Sequence, residues 1–347
     1  MSERKTEGIN SATSGKVFSR RGFLTAGGAG LALLAAGCGG EQSNQEESSQ
    51  GGKSGLVPRE DIRIEFVTHW PSTDSFWTVV KNGVEQAQKD LGVKVNSRTL
   101  DSFDIPQMQN NFDAAIATQP DAIMTVIADP DAIGPKVREA RDKGIPVMAM
   151  NGGLDTWEKY GALFFIGQEE TRAGELAGQR MAEAGVTSAL CINHVQGIVT
   201  LDQRCEGFDK GLGGNAKQVA VDGSSPTKME NGIVTALRQN PQADGLLTVG
   251  QPAAPPAIKA LKQSGKGDTV KLATFDVAPE AIQSIMDGEM MFAIDQQGFL
   301  QGYNSVANIV NYLLYRVHPI GVVNTGPLFV TKDNAQELLK LSKEGLH

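Results

Sequence analysis

The chain has 347 residues, of which 40% are hydrophobic, and its 32 Lys and Arg against 40 Asp and Glu give a net charge of −8. Residues 1–37 hold five of the basic and two of the acidic side chains, which leaves 27 and 38 in the remainder, a net charge of −11. Such an acidic body argues against a nucleic-acid partner, and about 290 foldable residues suggest two domains or one large one.

The N-terminus carries two export signals. Arg20 and Arg21 precede Phe-Leu in the manner of a twin-arginine signal, and the apolar stretch 26–36 that follows is too short to span a bilayer. Residues 34–38, Leu-Ala-Ala-Gly-Cys, resemble a bacterial lipobox, in which the cysteine is lipidated. We therefore expect residues 1–37 to be a signal peptide and Cys38 to anchor the exported chain to the outer face of the cytoplasmic membrane.

A polar segment follows the lipobox. Residues 39–54 consist mainly of Gly, Ser, Gln and Glu, and they contain too few apolar side chains to form a packed core. We interpret 38–58 as a flexible linker between the membrane and a folded region that begins near Arg59.

Beyond the linker, short apolar runs alternate with amphipathic stretches. The first run, 62–67, predicts a strand, and apolar residues at helical spacing over 76–91 predict a helix closed by Gly92. The same alternation predicts strands over 94–100, 122–127, 147–150, 163–166, 188–192, 218–221, 245–249, 271–275 and 291–294. Predicted helices separate them over 105–119, 136–143, 171–184, 201–212, 228–239, 253–263 and 279–286, and a long helix follows over 300–315. This order predicts an α/β fold with parallel sheets in two doubly wound lobes, and a (β/α)₈ barrel is the alternative.

In doubly wound sheets, ligands bind beyond the carboxyl ends of the strands. Polar and aromatic side chains collect in the loops there: 69–74, 151–153, 193–196, 250–252, 276–277 and 295–298. The site is therefore expected among these loops.

Three side chains near those loops suit a small polar ligand: Trp77, Arg204 and Asp276. The flat ring of Trp77 is expected to pack against the apolar face of a sugar. Phe76 occupies a core-facing helical position, and Asp74 could cap the start of the helix. The planar guanidinium of Arg204 could donate to two adjacent sugar oxygens at once. The alternative is that Arg204 is a solvated surface charge or pairs with Glu206. Asp276 ends an apolar strand and could accept from sugar hydroxyls or cap the next helix.

Other chemistry is not indicated. The sequence has no P-loop, no His-Glu-x-x-His and no Gly-x-Ser-x-Gly motif, and four scattered histidines make a metal site improbable, so we expect no cofactor, no metal and no enzymatic activity. Cys191 and Cys205 could pair in an oxidising compartment, but two separate small buried residues are the favoured interpretation.

The folded region resembles the type I periplasmic sugar-binding proteins, the group that includes the ribose binders. The matching pieces lie in order along the chain: Asp74-Ser75-Phe76-Trp77, Lys81-Asn82-Gly83, Gly144-Ile145-Pro146-Val147, Arg204-Cys205-Glu206-Gly207-Phe208, Phe275-Asp276 and Ile294-Asp295-Gln296-Gln297. The resemblance implies two Rossmann-like lobes joined by three hinge crossings. It places one lobe at 59–167 plus 297–325 and the other at 168–296 plus 326–347.

The resemblance also implies a ligand site. It assigns the aromatic clamp to Phe76 and Trp77, and polar contacts to Asp74, Arg204, Asp276 and Gln296. Where many members carry a charged pair after the fourth strand, this chain has Asn151-Gly152, and Gly250-Gln251 replaces an Asn-Asp pair. Both departures remove charge from the cleft, so that a polyol or a deoxy sugar would suit it as well as a pentose. His69 and Trp70 stand where ribose binders have small polar residues, which suggests a different ligand shape. We expect His69, Asn151 and Gln251 to contact the ligand as well.

The function implied is that of a substrate-binding lipoprotein of an ABC importer, which closes on a monosaccharide or polyol. Its partners would be that ligand and a membrane permease, and the chain itself would be a monomer. A receptor subunit that reports a signal molecule is left open, and a secreted carbohydrate-active enzyme would need an acid–base pair such as Asp74 and Asp276. A repressor of the same fold would carry a helix-turn-helix in place of the export signal.

Overall fold

The computed structural model describes residues 57–69 and 74–347. Twelve strands occur in this part of the chain: β1 (Arg63–Val67), β2 (Lys94–Arg98), β3 (Ala122–Thr125), β4 (Val147–Met150), β5 (Phe165–Gly167), β6 (Ala189–Asn193), β7 (Ala216–Ala220), β8 (Gly245–Thr248), β9 (Lys271–Phe275), β10 (Phe292–Asp295), β11 (Val322–Asn324) and β12 (Leu328–Val330). The helices of the same part are α1 (Ser75–Leu91), α2 (Ile105–Ala117), α3 (Pro130–Asp142), α4 (Trp157–Tyr160), α5 (Glu170–Glu183), α6 (Val199–Gly211), α7 (Pro226–Gln239), α8 (Ala254–Gln263), α9 (Pro279–Asp287), α10 (Gly298–Tyr315) and α11 (Ala335–Lys343). No helix in this part is both long and apolar enough to cross a membrane.

The strands form two six-stranded sheets. The first has the order β11-β5-β4-β3-β1-β2, and all of its pairings are parallel. The second has the order β12-β10-β9-β8-β6-β7 and is parallel except for β12, which runs antiparallel to β10. Two open sheets with free edges confirm the doubly wound prediction, and the barrel alternative is wrong.

Apolar layers cover both faces of each sheet. Four strands are buried at every position: β3, β4, β8 and β10. Their apolar runs predicted this burial, because helices cover both faces of a parallel strand. Four clusters of buried side chains pack between the sheets and their helices. Each sheet therefore has its own core, which leaves the space between the two sheets available for a site.

The chain passes between the sheets three times. The first passage follows β5, the second follows β10 and the third joins β11 to β12, where the Gly326–Pro327 peptide bond is cis. These passages are the three hinge crossings that the resemblance implied. The last passage adds one short edge strand to each sheet, β11 to the first and β12 to the second. No apolar run in the sequence predicted these two strands.

Helix α3 begins at Pro130, six residues before its predicted start. The Asp129 carboxylate accepts hydrogen bonds from the backbone N–H groups of Asp131 and Ala132, and Pro130 occupies the first helical position. An Asp cap followed by Pro is a typical start signal for a helix. The sequence therefore contained this boundary, and the apolar periodicity alone missed it.

Cys191 and Cys205 form a disulfide with an S–S distance of 2.03 Å. The favoured interpretation of two unpaired residues was wrong. Cys191 lies on β6 and Cys205 on α6, and the packing of this helix on its own strand brings their Cα atoms to 5.6 Å, within the range that a disulfide spans.

Candidate functional site

A cavity lies between the carboxyl ends of the two sheets. Its volume is about 50 Å³, so it is a small cavity. The lining residues come from both sides: His69, Asp74, Phe76, Trp77, Asn151, His194, Ile198, Thr200, Leu201, Arg204, Val249, Gly250, Pro252, Asp276 and Gln296. Eight of the nine residues proposed from the sequence lie in this set.

Gln251 is the exception, because it lies beside the cavity without lining it. Its side-chain oxygen accepts a hydrogen bond from the Ser75 hydroxyl over 3.2 Å, so it joins the start of α1 to the loop after β8. Trp70 and Cys38 lie outside the described residues.

The aromatic wall is built at the start of α1. The Asp74 carboxylate caps this helix by accepting from the backbone N–H groups of Phe76 and Trp77 over 3.0 and 3.3 Å. The rings of Phe76 and Trp77 meet edge to face with centroids 5.2 Å apart, and His69 meets Trp77 at 5.5 Å. Both Phe76 and Trp77 line the cavity and also pack into the core of the first sheet, so the expected division into one core ring and one ligand ring does not hold.

Arg204 is buried and held by the carboxylate of Glu170, a residue that no sequence motif marked. Its Nε and Nη2 donate to the two carboxylate oxygens of Glu170 over 2.7 and 3.1 Å, and its Nη1 donates to the Val249 carbonyl over 2.7 Å. Glu206 is exposed, so neither the solvated charge nor the Glu206 pair describes this arginine. Burial lowers the pKa of Arg204, but the Glu170 and Asp276 carboxylates outweigh it and raise that pKa, so the guanidinium stays charged.

Helix α6 reaches Glu170 because α5 and α6 approach closely. A Cβ on Gly174 would lie 2.2 Å from the Arg204 carbonyl oxygen, and one on Gly207 would lie 1.9 Å from the Thr171 carbonyl oxygen. The absence of side chains at these two positions lets the helix backbones touch, which brings the Arg204 side chain to the first turn of α5.

Asp276 occupies a left-handed backbone position, with a φ of 68°, directly after β9. Its carboxyl accepts from the Gln296 side-chain amide and lies 3.7 Å from Nη1 of Arg204. Burial raises the pKa of Asp276 to about 7, although Arg204 and the Gln296 hydrogen bond lower it. The N-cap residue of α9 is Ala278, so the helix-capping alternative for Asp276 is wrong.

Gln296 joins the two sides of the cavity. Its side-chain oxygen accepts from the Asn151 amide over 3.1 Å while its own amide donates to Asp276. The backbone carbonyl of Gln296 accepts from Gln301, whose amide also donates to the Thr325 hydroxyl over 3.1 Å. Gln301, in the first turn of α10, and Thr325, directly after β11, lie outside the loops that the sequence pattern marked, so neither was expected in the site.

Two buried imidazoles complete the lining. Burial lowers the pKa of His69 to about 3, and burial together with the charge of Arg204 lowers that of His194 to about 4, so both rings are neutral near pH 7. His194 follows β6 in one of the loops singled out from the sequence, and that position was the signal that could have placed it in the site. Within the part of the chain that the structure describes, no three His, Cys, Asp or Glu side chains converge to hold a metal ion.

The sequence matches the family described as periplasmic binding protein domain over residues 64–315. It is 27% identical over 308 residues to a xylose/arabinose-binding protein of Sulfolobus acidocaldarius, covering 83% of this chain and 76% of that protein. It is 25% identical over 296 residues to a xylitol-binding protein of Mycolicibacterium smegmatis, covering 82% and 78%. A carbohydrate transporter from Acidothermus cellulolyticus 11B, solved in complex with myo-inositol, shares 32% identity and a TM-score of 0.79 over 82% of this chain and 99% of that one.

Proposed function

The chain belongs to the periplasmic binding protein domain family, and from that premise we propose that it captures a monosaccharide or polyol between its lobes for an ABC importer. The observation that carries the proposal is the cavity itself. Flat rings from one sheet face a guanidinium and a carboxyl from the other, and this pairing of apolar faces with a few directed polar groups suits a polyhydroxy ring or chain.

The relatives support the same ligand class. The named proteins bind xylose or arabinose and xylitol, and the structural neighbour holds myo-inositol. These ligands share several hydroxyl groups on a small carbon skeleton. A cavity with the Trp77 ring on one side and Arg204 and Asp276 on the other can contact both the carbon skeleton and the hydroxyls of such a molecule.

Capture works by closure of two lobes, with 59–167 plus 297–325 as one and 168–296 plus 326–347 as the other. Because Asp74, Phe76 and Trp77 come from one lobe and Arg204 and Asp276 from the other, a ligand reaches all of its partners only when the lobes meet. Ligand binding therefore shifts the population towards the closed form. The closed lobes then present a combined surface to a membrane permease, and this chain performs no chemistry on the ligand.

The family places the protein outside the cytoplasm, and the N-terminal motifs refine that location. Residues 1–37 serve as a twin-arginine signal peptide, and Cys38 carries the lipid that holds the protein at the outer face of the cytoplasmic membrane. Residues 38–58 act as the tether that lets the lobes reach a permease.

A thermal-shift screen tests the ligand class. Pentoses, hexoses, polyols and inositols are added to the mature protein, and at least one of them should raise the melting temperature, because a ligand that binds only the folded state stabilises it. At a ligand concentration of 100 times the Kd, the gain is about 2.7 kcal/mol. The absence of any shift across the whole panel at millimolar concentrations would reject a sugar or polyol as the ligand.

A further inference from the structure

Glu170 lies behind the cavity and does not line it. It is buried at the start of α5, where the helix dipole favours a negative charge. Oε1 accepts from Nη2 of Arg204, while Oε2 accepts both from Nε of Arg204 and from the Gln168 amide over 2.8 Å. Three donated hydrogen bonds hold this carboxylate in place.

These contacts leave Arg204 with few free donors. A guanidinium has five N–H groups, of which Glu170 takes two and the Val249 carbonyl takes one. One N–H on each terminal nitrogen remains for Asp276 and for a ligand. The guanidinium also lies over the Phe275 ring, 4.5 Å from its centroid, so both its plane and its position are fixed.

We propose that Glu170 is a positioning and selectivity residue that orients Arg204 and balances its charge, so that the cavity selects an uncharged polyhydroxy ligand over the carboxylate form of the same molecule. The proposal rests on the proposed function and deepens it. It assigns the selectivity to a residue that would not touch the ligand.

The charges around the cavity explain the selectivity. Among the described residues that line it, Arg204 is the one cation near pH 7, since both lining histidines are neutral. Its charge is already met by Glu170, while Asp74 and Asp276 contribute acidic groups. An entering carboxylate would lose its water shell without gaining an unbalanced cation, whereas a hydroxyl group can still accept from the N–H of Arg204 that Asp276 does not face.

Matched pairs of probes test the proposal by isothermal titration calorimetry at pH 7. Xylitol is compared with xylonate, and glucose is compared with glucuronate, so that the members of each pair differ by a carboxylate in place of one terminal CH₂OH group. Wild-type protein should bind a neutral probe and discriminate against its anionic partner. Equal affinity for both members of a pair would overturn the proposal while leaving sugar capture intact, whereas the absence of binding by every neutral sugar and polyol of the thermal-shift panel would instead reject the proposed function.

The variant Glu170→Gln removes the carboxylate that is paired bidentately with Arg204 and leaves Asp276, at 3.7 Å, as its remaining acidic neighbour, so less of the guanidinium charge is balanced. We expect weaker binding of the neutral probe by roughly tenfold or more, as a hydrogen-bonded contact to a charged group is lost, and a ratio of affinities that moves towards the anion. Glu170→Asp keeps the charge but shortens the side chain, so it should weaken binding while retaining the preference for the neutral probe. A folded Glu170→Gln protein with the wild-type ratio would overturn the proposal.

Glu65→Gln supplies the matched control. Glu65 is also buried and pairs with an arginine, Arg98, over 2.6 Å, but it does not line the cavity or contact Arg204. Its replacement should leave the ratio of affinities unchanged. If Glu170→Gln fails to fold by circular dichroism, the wild-type comparison and Glu170→Asp still decide the outcome, because loss of the preference in Glu170→Asp would contradict charge compensation.

Discussion

The Asn151 amide donates to the Gln296 side chain over 3.1 Å, and this bond joins the loop after β4 in the first sheet to the loop after β10 in the second. Gln296 continues to Asp276, which lies beside Arg204. One chain of polar contacts therefore runs from the first sheet through the hinge side of the cavity to the guanidinium. The hydrogen bonds of Gln296 therefore link the two sides of the candidate site.

Ligand binding should reduce the radius of gyration measured by small-angle scattering, because the closed form brings both sets of contacts together. Gln296→Ala should weaken both ligand affinity and closure, since Asn151 and Asp276 each lose a partner, at a cost of about 1–3 kcal/mol. The measurement uses the best ligand of the thermal screen at saturation. An unchanged radius of gyration in wild type would contradict hinge closure.

Trp77→Ala should lower both ligand affinity and the stability of the ligand-free protein, because the ring lines the cavity and also packs in the core of the first sheet. We expect a stability loss of about 3–5 kcal/mol. Trp157→Ala is the control: this ring is equally buried, at 7% exposure, but packs in another cluster and does not line the cavity. Trp157→Ala should destabilise the protein by a similar amount and leave the ligand affinity unchanged. Equal losses of affinity in both variants would indicate that Trp77 affects binding only through the stability of the fold.

Asp276 should make the ligand-free protein less stable as the pH rises. Its folded-state pKa of about 7 lies above the ordinary value of 3.8, so its contribution to stability is fully present below about pH 4 and is lost as the pH rises through 7. Asp276→Asn should remove this part of the pH dependence. Urea unfolding of both proteins between pH 4 and 8 measures it, and parallel curves would refute the assignment.

Removal of the disulfide should destabilise the protein and weaken ligand binding together. The two cysteines are 14 residues apart in sequence, and a loop of that size corresponds to about 3 kcal/mol in the chain-entropy account. Because Cys205 adjoins Arg204 on α6, the double variant Cys191→Ala, Cys205→Ala should also loosen the guanidinium. Unfolding in guanidinium chloride measures the loss of stability, and isothermal titration calorimetry measures the loss of ligand affinity. A free-thiol assay that finds both cysteines reduced in the native protein would refute the pairing.

Cys38→Ser should release the protein from membranes or leave an unprocessed precursor. Fractionation and the mass of the product measure this, and normal membrane retention of a processed chain would reject the lipid anchor. Replacing Arg20 and Arg21 by Lys should separately block export if the twin-arginine route is used. Normal secretion of that variant would show that the general route suffices.

The sequence alone determined the fold class and most of the candidate site. Apolar runs such as 122–127 identify parallel strands because strands covered on both faces need apolar side chains throughout, and the loops after them mark the edge where ligands bind. Asp74, Phe76 and Trp77 could be placed together because they share one strand–helix junction. Local periodicity carries this information, since it depends only on neighbouring residues.

The tertiary structure decided the partners of those residues. Glu170 meets Arg204 across 34 positions of sequence, and Cys191 reaches Cys205 because α6 packs on β6. The structure also showed that Trp77 belongs to a core and that the Asp276 carboxyl is buried beside a guanidinium, which raises its pKa. Such contacts depend on how helices and sheets pack. Burial and the distance between two side chains set the pKa of each group and its hydrogen bonds in the cavity, and no local pattern in the chain encodes either quantity.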